Sequence, residues 1–246
     1  MSPRLKEKRP CLHRAVKKKP AKAMDLRRPK DTKRMSSGCL TKLHKTYKGL
    51  EDIHLPLFKE VQKIAKAKCV LYPGSHWHLQ ASLVFPNVTY IDYNKAVAPF
   101  FQDAAVQNWI SENKNYGGSA KMQFYHTDFD HLKLSGGYDL LISMSAGIVS
   151  KPCARFLRIG GHFLVSDAHF DARTVALDKR FSLVGVYDMT REKLVTSKDQ
   201  LNLCFMTTTG QKISAEQVEI SKKKPKGSRG FKLKREDWFY LFRRIS

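Results

Sequence analysis

The strongest constraint in the chain is one stretch of about twenty residues. Val70-Leu71-Tyr72 is a short apolar run closed by the turn Pro73-Gly74, and Ser75-His76-Trp77-His78 follows. A segment of helical pattern then leads to a second apolar run, Val88-Thr89-Tyr90-Ile91, ending on Asp92. Short runs rich in β-branched and aromatic residues, bounded by turn residues, read as buried strands. Strand, turn, helix, strand at this spacing is the opening of a parallel βαβ unit. In such a unit the first turn lies at the carboxyl end of a strand and the mouth of a helix, where nucleotides bind. An acid closing the second strand stands where it can hydrogen-bond a ribose.

The remainder extends the pattern. Leu57, Phe58, Val61, Ile64 and Ala65 recur at helical spacing just before the first strand. Further strands are expected at Lys121–His126, Tyr138–Ser143 and His162–Ser166, with helical segments on either side of Pro99 and over Ile148–Leu157. Gly160-Gly161 is read as the stop of that last helix. Five strands alternating with helices make a doubly wound, mostly parallel α/β sheet. After Asp171 the alternation fades. Phe181–Tyr187, Leu201–Thr207 and Trp238–Phe242 are then expected to form an antiparallel edge.

Charge divides the chain differently. The 246 residues carry a net charge of +23, most of it at the ends. Residues 1–48 hold 17 basic and 3 acidic side chains and residues 211–246 hold 11 and 4, whereas residues 49–210 hold 17 and 15. This suggests a disordered basic tail over 1–48, an α/β domain over 49–246, and an exposed basic loop at 221–230. A near-neutral body with basic ends suits a protein held against RNA or another nucleic acid. A solubilising tail or a nuclear-import signal explains the same charge. Five scattered cysteines without a C-x-x-C pair argue against a disulfide framework. No apolar run approaches the ~20 residues of a membrane span, and no secretory signal opens the chain. An intracellular protein of the nucleus or cytoplasm is expected.

In order, these segments resemble the class I S-adenosylmethionine-dependent methyltransferases, from about Leu55 to the C-terminus. Tyr72-Pro73-Gly74-Ser75 resembles that family's glycine-rich first motif and Asp92 its ribose-binding acid. Thr127-Asp128-Phe129 resembles the third-strand motif, whose acid contacts the adenine amino group. Tyr138–Ser143 resembles its fourth strand, and Leu157-Arg158-Ile159-Gly160-Gly161 its turn before the fifth. The resemblance implies a Rossmann-like fold and S-adenosyl-L-methionine as cofactor, held by Tyr72, Gly74, Ser75, Asp92, Asp128, Phe129 and Ser143. The first motif departs from the usual one: Tyr72 replaces an acid, and Gly74 is its single glycine.

Two of these residues have a plainer reading: Asp92 as a surface acid capping the next helix, and Asp128 as an Asx-turn residue. For the acceptor side, His169 and Asp167 follow the fifth strand, and an imidazole there suits a general base. Together with His76 and His78, the same residues offer a divalent-metal site, the basis of a metal-dependent hydrolase reading. After the fourth strand the chain reads Ser143-Met144-Ser145-Ala146-Gly147, without the Asn/Asp-Pro-Pro-aromatic segment of the familiar exocyclic amino methyltransferases. Pro152-Cys153 resembles a cytosine-C5 nucleophile but falls inside a helical pattern, which favours a buried thiol. Trp77, Trp238, Phe239, Tyr240 and Phe242 are candidates for base stacking. Alternation groups Trp238 with Tyr240 and Phe242 on one face, which favours core packing. Two functions stay open: a methyltransferase with an unnamed, nucleic-acid-associated acceptor, and a non-catalytic nucleic-acid-binding protein on the same fold.

Overall fold

The computed structural model describes residues 23–25, 37–47, 51–224 and 231–246. The basic stretches read as tail over 1–22 and 26–36, and the basic loop from 225 to 230, lie outside the described residues.

The described strands join in one sheet. They are β1 Ala23–Asp25, β2 Cys69–Pro73, β3 Asn87–Asp92, β4 Lys121–His126, β5 Tyr138–Ser143, β6 Leu157–Ser166, β7 Phe181–Asp188, β8 Lys193–Val195 and β9 Phe239–Arg244. Their order is β1-β4-β3-β2-β5-β6-β9-β7-β8. The five central strands, β4-β3-β2-β5-β6, pair in parallel. Antiparallel strands flank them: β1 on β4 at one side, and β9, β7 and β8 at the other. This is a doubly wound, Rossmann-like α/β sheet with a parallel body. The chain leaves β2 in one direction towards β3 and β4, and later returns on its other side through β5 and β6. The gap between β2 and β5 is therefore the switch point, where open α/β sheets bind ligands at the carboxyl ends of their strands.

The two faces of the sheet bury separate cores. All five residues of β2 are buried. Val70 and Tyr72 join one cluster with Phe58, Phe85, Tyr90 and Phe101, while Cys69 and Leu71 join the other with Val149, Phe163 and Phe242. That split follows from the two-residue period of a strand, and a central strand covered on both sides reads as an unbroken apolar run. Helix α1 (Ser37–Tyr47) and helix α2 (Glu51–Ala65) lie on the first face. Leu57, Phe58 and Val61 of α2 are fully buried there, as their spacing requires.

Several expectations are revised. Helix α1 falls within the stretch assigned to the tail. Its Leu43 is fully buried, an apolar anchor that the surrounding lysines conceal from a charge count. The stretch Leu201–Thr207 is not a strand: Lys198–Leu203 is helical, and isolated bridges at Cys204, Met206 and Thr207 follow. Strand β6 begins at Leu157 rather than His162, so Gly160-Gly161 lies inside it and not at a helix stop. Gly160 there takes φ +79°, and the β5–β6 register shifts nearby. No helix among the described residues is long and apolar enough to cross a membrane.

Candidate functional site

Strand β2 ends at Pro73, and the chain turns sharply through Gly74 (φ +63°) and His76 (φ +49°). The backbone N–H groups of this turn are satisfied by the neighbouring strand. Gly74 N–H and Ser75 N–H donate to the Ile91 carbonyl at 2.7 and 3.3 Å. His76 N–H donates to Asp92 Oδ2 at 2.7 Å. Asn94 N–H donates to the other Asp92 oxygen at 2.8 Å. Asp92 is therefore a buried brace that fixes the turn to the end of β3, and Asn94, not Asp92, caps the helical turn that follows.

A cavity of about 470 Å³ opens beside this turn, at the carboxyl ends of β2, β5 and β6. Tyr72, Gly74, Ser75, His76, Trp77 and His78 line it from the turn. Met144 and Ser145 line it from the loop after β5, Ser166 from β6, His54 from α2, Met189 from the loop after β7, and Trp238 and Phe239 from β9 and its approach. Its volume lies within the ~300–1,000 Å³ of small-ligand sites.

A chain of neutral hydrogen bonds stiffens one wall. Tyr72 Oη lies 2.6 Å from His78 Nδ1, and His78 Nε2 lies 3.0 Å from Gln80 Oε1. With the Gln80 oxygen as acceptor, the ring proton sits on Nε2, so Nδ1 accepts from the tyrosine hydroxyl. Burial, with His54 beside it, holds the His78 pKa down at about 3. The two rings meet edge to face at 4.6 Å, and burial lowers His54 to about 4. Both imidazoles are thus neutral at physiological pH. His54 Nδ1 and Gln80 Nε2 are buried without a hydrogen-bond partner.

Of the residues assigned to the cofactor from sequence, Tyr72, Gly74 and Ser75 line this cavity and the others do not. Ser143 donates to Asp171 Oδ2 at 3.2 Å. Asp128 is exposed and accepts from Asp130 N–H at 3.0 Å, which is the Asx-turn geometry. Phe129 packs on the second core. A more open cleft of about 810 Å³ lies beside that loop, lined by Thr127, Asp130, His131, Leu132, Arg155 and Phe156 among others. Above Gly74 the space is filled: a Cβ built there would meet Ala146 Cβ at 2.3 Å and Phe129 Cε1 at 3.8 Å. Glycine allows this close approach, and the group that approaches is the protein's own loop.

The acceptor-side assignment is also corrected. Asp167 is bound to Arg173, with Nε at 2.7 Å from Oδ2 and the Arg173 N–H at 3.2 Å from Oδ1. Arg173 itself is buried, and its guanidinium lies 5.0 Å from the rings of both Phe170 and Phe231. His169 is exposed, and its Nε2 lies 3.1 Å from the Ser145 carbonyl. Neither Asp167 nor His169 lines the cavity; both tie loops together. Among the described residues no group of three His, Cys, Asp or Glu side chains is placed to hold a metal ion, so His76, His78, Asp167 and His169 do not gather at one point. Cys153 is fully buried, and burial pushes its thiol up to about 12, which fits an inert core residue. Trp238 leaves the face of Tyr240 and Phe242. It precedes β9 and stands 67% exposed at the cavity, while those two are buried.

Sequence reasoning missed His54, Met144 and Met189 as cavity residues. His54 had a signal, a polar residue on the helical stripe that continues through Leu57, Phe58 and Val61. The two methionines had none, because each is brought in by a loop.

No family model matches the chain, and no curated protein matches it in sequence. Among solved structures it overlaps with the N-methyltransferase NodS of Bradyrhizobium japonicum at TM-score 0.45 and 12% identity, over 82% of this chain and 98% of that one. The O-methyltransferase TomG of Streptomyces achromogenes gives 0.44 and 9%, over 86% and 91%. An rRNA methylase of Streptococcus thermophilus gives 0.38 and 9%, over 80% and 95%. Overlaps this loose assign neither an activity nor residue roles.

Proposed function

We propose that the protein is an S-adenosylmethionine-dependent methyltransferase whose reacting chamber is the cavity beside Gly74, and that its basic ends hold it against a nucleic-acid-associated substrate. One observation carries the reading. The sequence motifs order the strands so that the Gly74 turn falls at the switch point of a doubly wound sheet, and a ligand-sized cavity opens on that turn.

The residues present fit the cofactor only at the cavity end. An extended adenosyl group lying over Gly74 meets Ala146 and Phe129, and Asp92 already accepts two backbone N–H groups. Where the cofactor lies over that side of Gly74, the Met144–Gly147 loop is expected to move aside on binding. A bound cofactor would supply an electrophilic methyl group. The chain's part is to orient an acceptor within walls kept rigid by Tyr72, His78 and Gln80, and alignment of this kind is the main demand of a displacement reaction.

Calorimetric titration of the full chain with S-adenosylmethionine and its demethylated product tests this. Micromolar binding, about −8 kcal/mol, is expected. The Ala146→Gly variant is expected to bind more tightly because it removes the methyl that covers Gly74. No heat from either folded protein sinks the reading. The alternative reading is a nucleic-acid-binding protein without a cofactor. Affinity for RNA that falls steeply with salt, in the absence of cofactor binding, would support it.

A further inference from the structure

The cavity's lining has an unusual composition for an open cleft in so basic a protein. Its thirteen lining residues include no Asp, Glu, Lys or Arg. The walls are rings and thioethers: His54, Tyr72, Trp77, Phe239, Met144 and Met189. Its polar groups are the hydroxyls of Ser75, Ser145 and Ser166 and the imidazoles, of which burial keeps His54 and His78 neutral. A charged acceptor would leave water without a counter-charge to receive it. An aliphatic one would leave those polar groups unused. At the opening, Trp238 is 67% exposed and Met189 39%, large apolar side chains left partly open to solvent. Behind the wall, Lys42 Nζ rests over the Trp77 ring at 4.1 Å, so positive charge stands next to the cavity without entering it.

We infer that the cavity receives one neutral, planar heteroaromatic ring, a nucleobase splayed out of single-stranded RNA, with Trp238 stacking on it at the mouth. Unstacked bases are held by aromatic side chains because every base has a π-face, and the phosphates that follow are met by basic groups outside the ring pocket. The division of this molecule, with charge in its ends and a neutral aromatic cavity in its body, is the one such a ligand demands. A free nucleoside shares the ring but not the phosphates, and would have no use for the basic ends. The inference deepens the proposed function by naming what the chamber accepts, and its test needs no methyl donor.

The test uses the full chain and three probes: a short labelled oligoadenylate, an abasic strand of the same length and charge, and free adenosine. Anisotropy reads the strands at several salt concentrations, and calorimetry reads adenosine. The base-bearing strand is expected to bind more tightly than the abasic one. Trp238→Ala is expected to weaken the base-bearing strand by roughly 5- to 150-fold, the range of a lost base–aromatic stack, and to leave the salt slope and the abasic strand unchanged. Trp238→Phe should keep most of the affinity. Because Trp238 is largely exposed, both variants should fold, and their melting curves check this. Equal affinity for both strands, or an unaffected Trp238→Ala, overturns the inference. Free adenosine binding as tightly as the strand also overturns it, in favour of a nucleoside site. Strand binding through Trp238 without any methyl transfer would keep the inference and remove the proposed function.

Discussion

The carboxyl end of the sheet contains two kinds of polar site, and their difference explains why its acids misled. Around Asp92, Asp167 and Asp171 the carboxyl groups are engaged by donors from the protein. Asp171 is 1% exposed and accepts from Ser143 Oγ, from Ser150 Oγ at 2.5 Å, and from the Val149 and Ser150 N–H groups. Beside the Gly74 turn the buried His54 and His78 rings are neutral, and nitrogens of His54 and Gln80 are left unpaired. The carboxylates therefore hold the loops, and the uncharged pocket between those loops is left for a ligand. A rim rich in Asp and His is not itself an active site when each carboxylate already has its donors.

The sharpest way to break this comparison is Asp171→Ala. It strands two buried N–H groups and two hydroxyls at the loop that carries Met144 and Ser145. A loss of about 3–5 kcal/mol in urea unfolding is expected. An unchanged midpoint would mean that the carboxylate braces nothing. Next in size is Gly74→Ala, where φ +63° and the Ala146 methyl both oppose a side chain. About 2–3 kcal/mol is expected. If the Ala146 contact is the larger part, Gly74→Ala combined with Ala146→Gly should recover at least about 1 kcal/mol, and a double-mutant cycle measures that recovery.

Much of the fold was legible because strand burial leaves a direct trace in the sequence. Val70–Tyr72, Val88–Ile91 and Leu140–Ile142 are apolar runs because both faces of their strands are covered. Asp92 was also found correctly at a strand end. Its role was not legible, because a ribose hydroxyl and a backbone N–H ask the same of a carboxylate, and only the fold shows that His76 N–H arrives first. Asp128 illustrates the same ambiguity, resolved towards the turn. The pocket's other walls were hidden for a different reason. Met189, Trp238 and His54 are far apart in sequence and meet only because β9 inserts between β6 and β7 while α2 lies across the first face. Alternation failed at Trp238 because the strand begins one residue later, at Phe239.

The neutral side of the comparison is sharpened by pH. Native His54 has its pKa lowered to about 4, whereas in the unfolded chain it titrates near 6.5. Between those values the unfolded state binds more protons than the native one. Stability therefore falls as pH drops through that window and is unaffected by this group above it. The His54→Phe variant keeps a ring against Phe58 and Phe239 and removes the unpaired nitrogen. Its stability should equal or exceed the parent's at pH 7. Its slope between pH 4 and 6.5 should be smaller by up to about 1.4 kcal/mol per pH unit, one proton's worth. Identical slopes in parent and variant would show that His54 is protonated in the fold and that the pocket is not neutral.

The smallest expected effect separates ligand surface from structure. Trp238→Ala removes the largest exposed apolar side chain at the cavity, 67% of it open to solvent. Its carbonyl, which accepts from Asp167 N–H at 3.3 Å, survives the substitution. A change within about 0.5 kcal/mol is expected in thermal or urea unfolding. Tyr240→Ala, two residues on and 1% exposed, should cost about 3–5 kcal/mol. If the two cost the same, Trp238 belongs to the core in solution, the cavity mouth is closed, and the contrast between a braced rim and an open neutral pocket fails at its opening. If Trp238 costs nothing, its conspicuous exposure has no structural explanation, and a stacking ligand supplies the missing one.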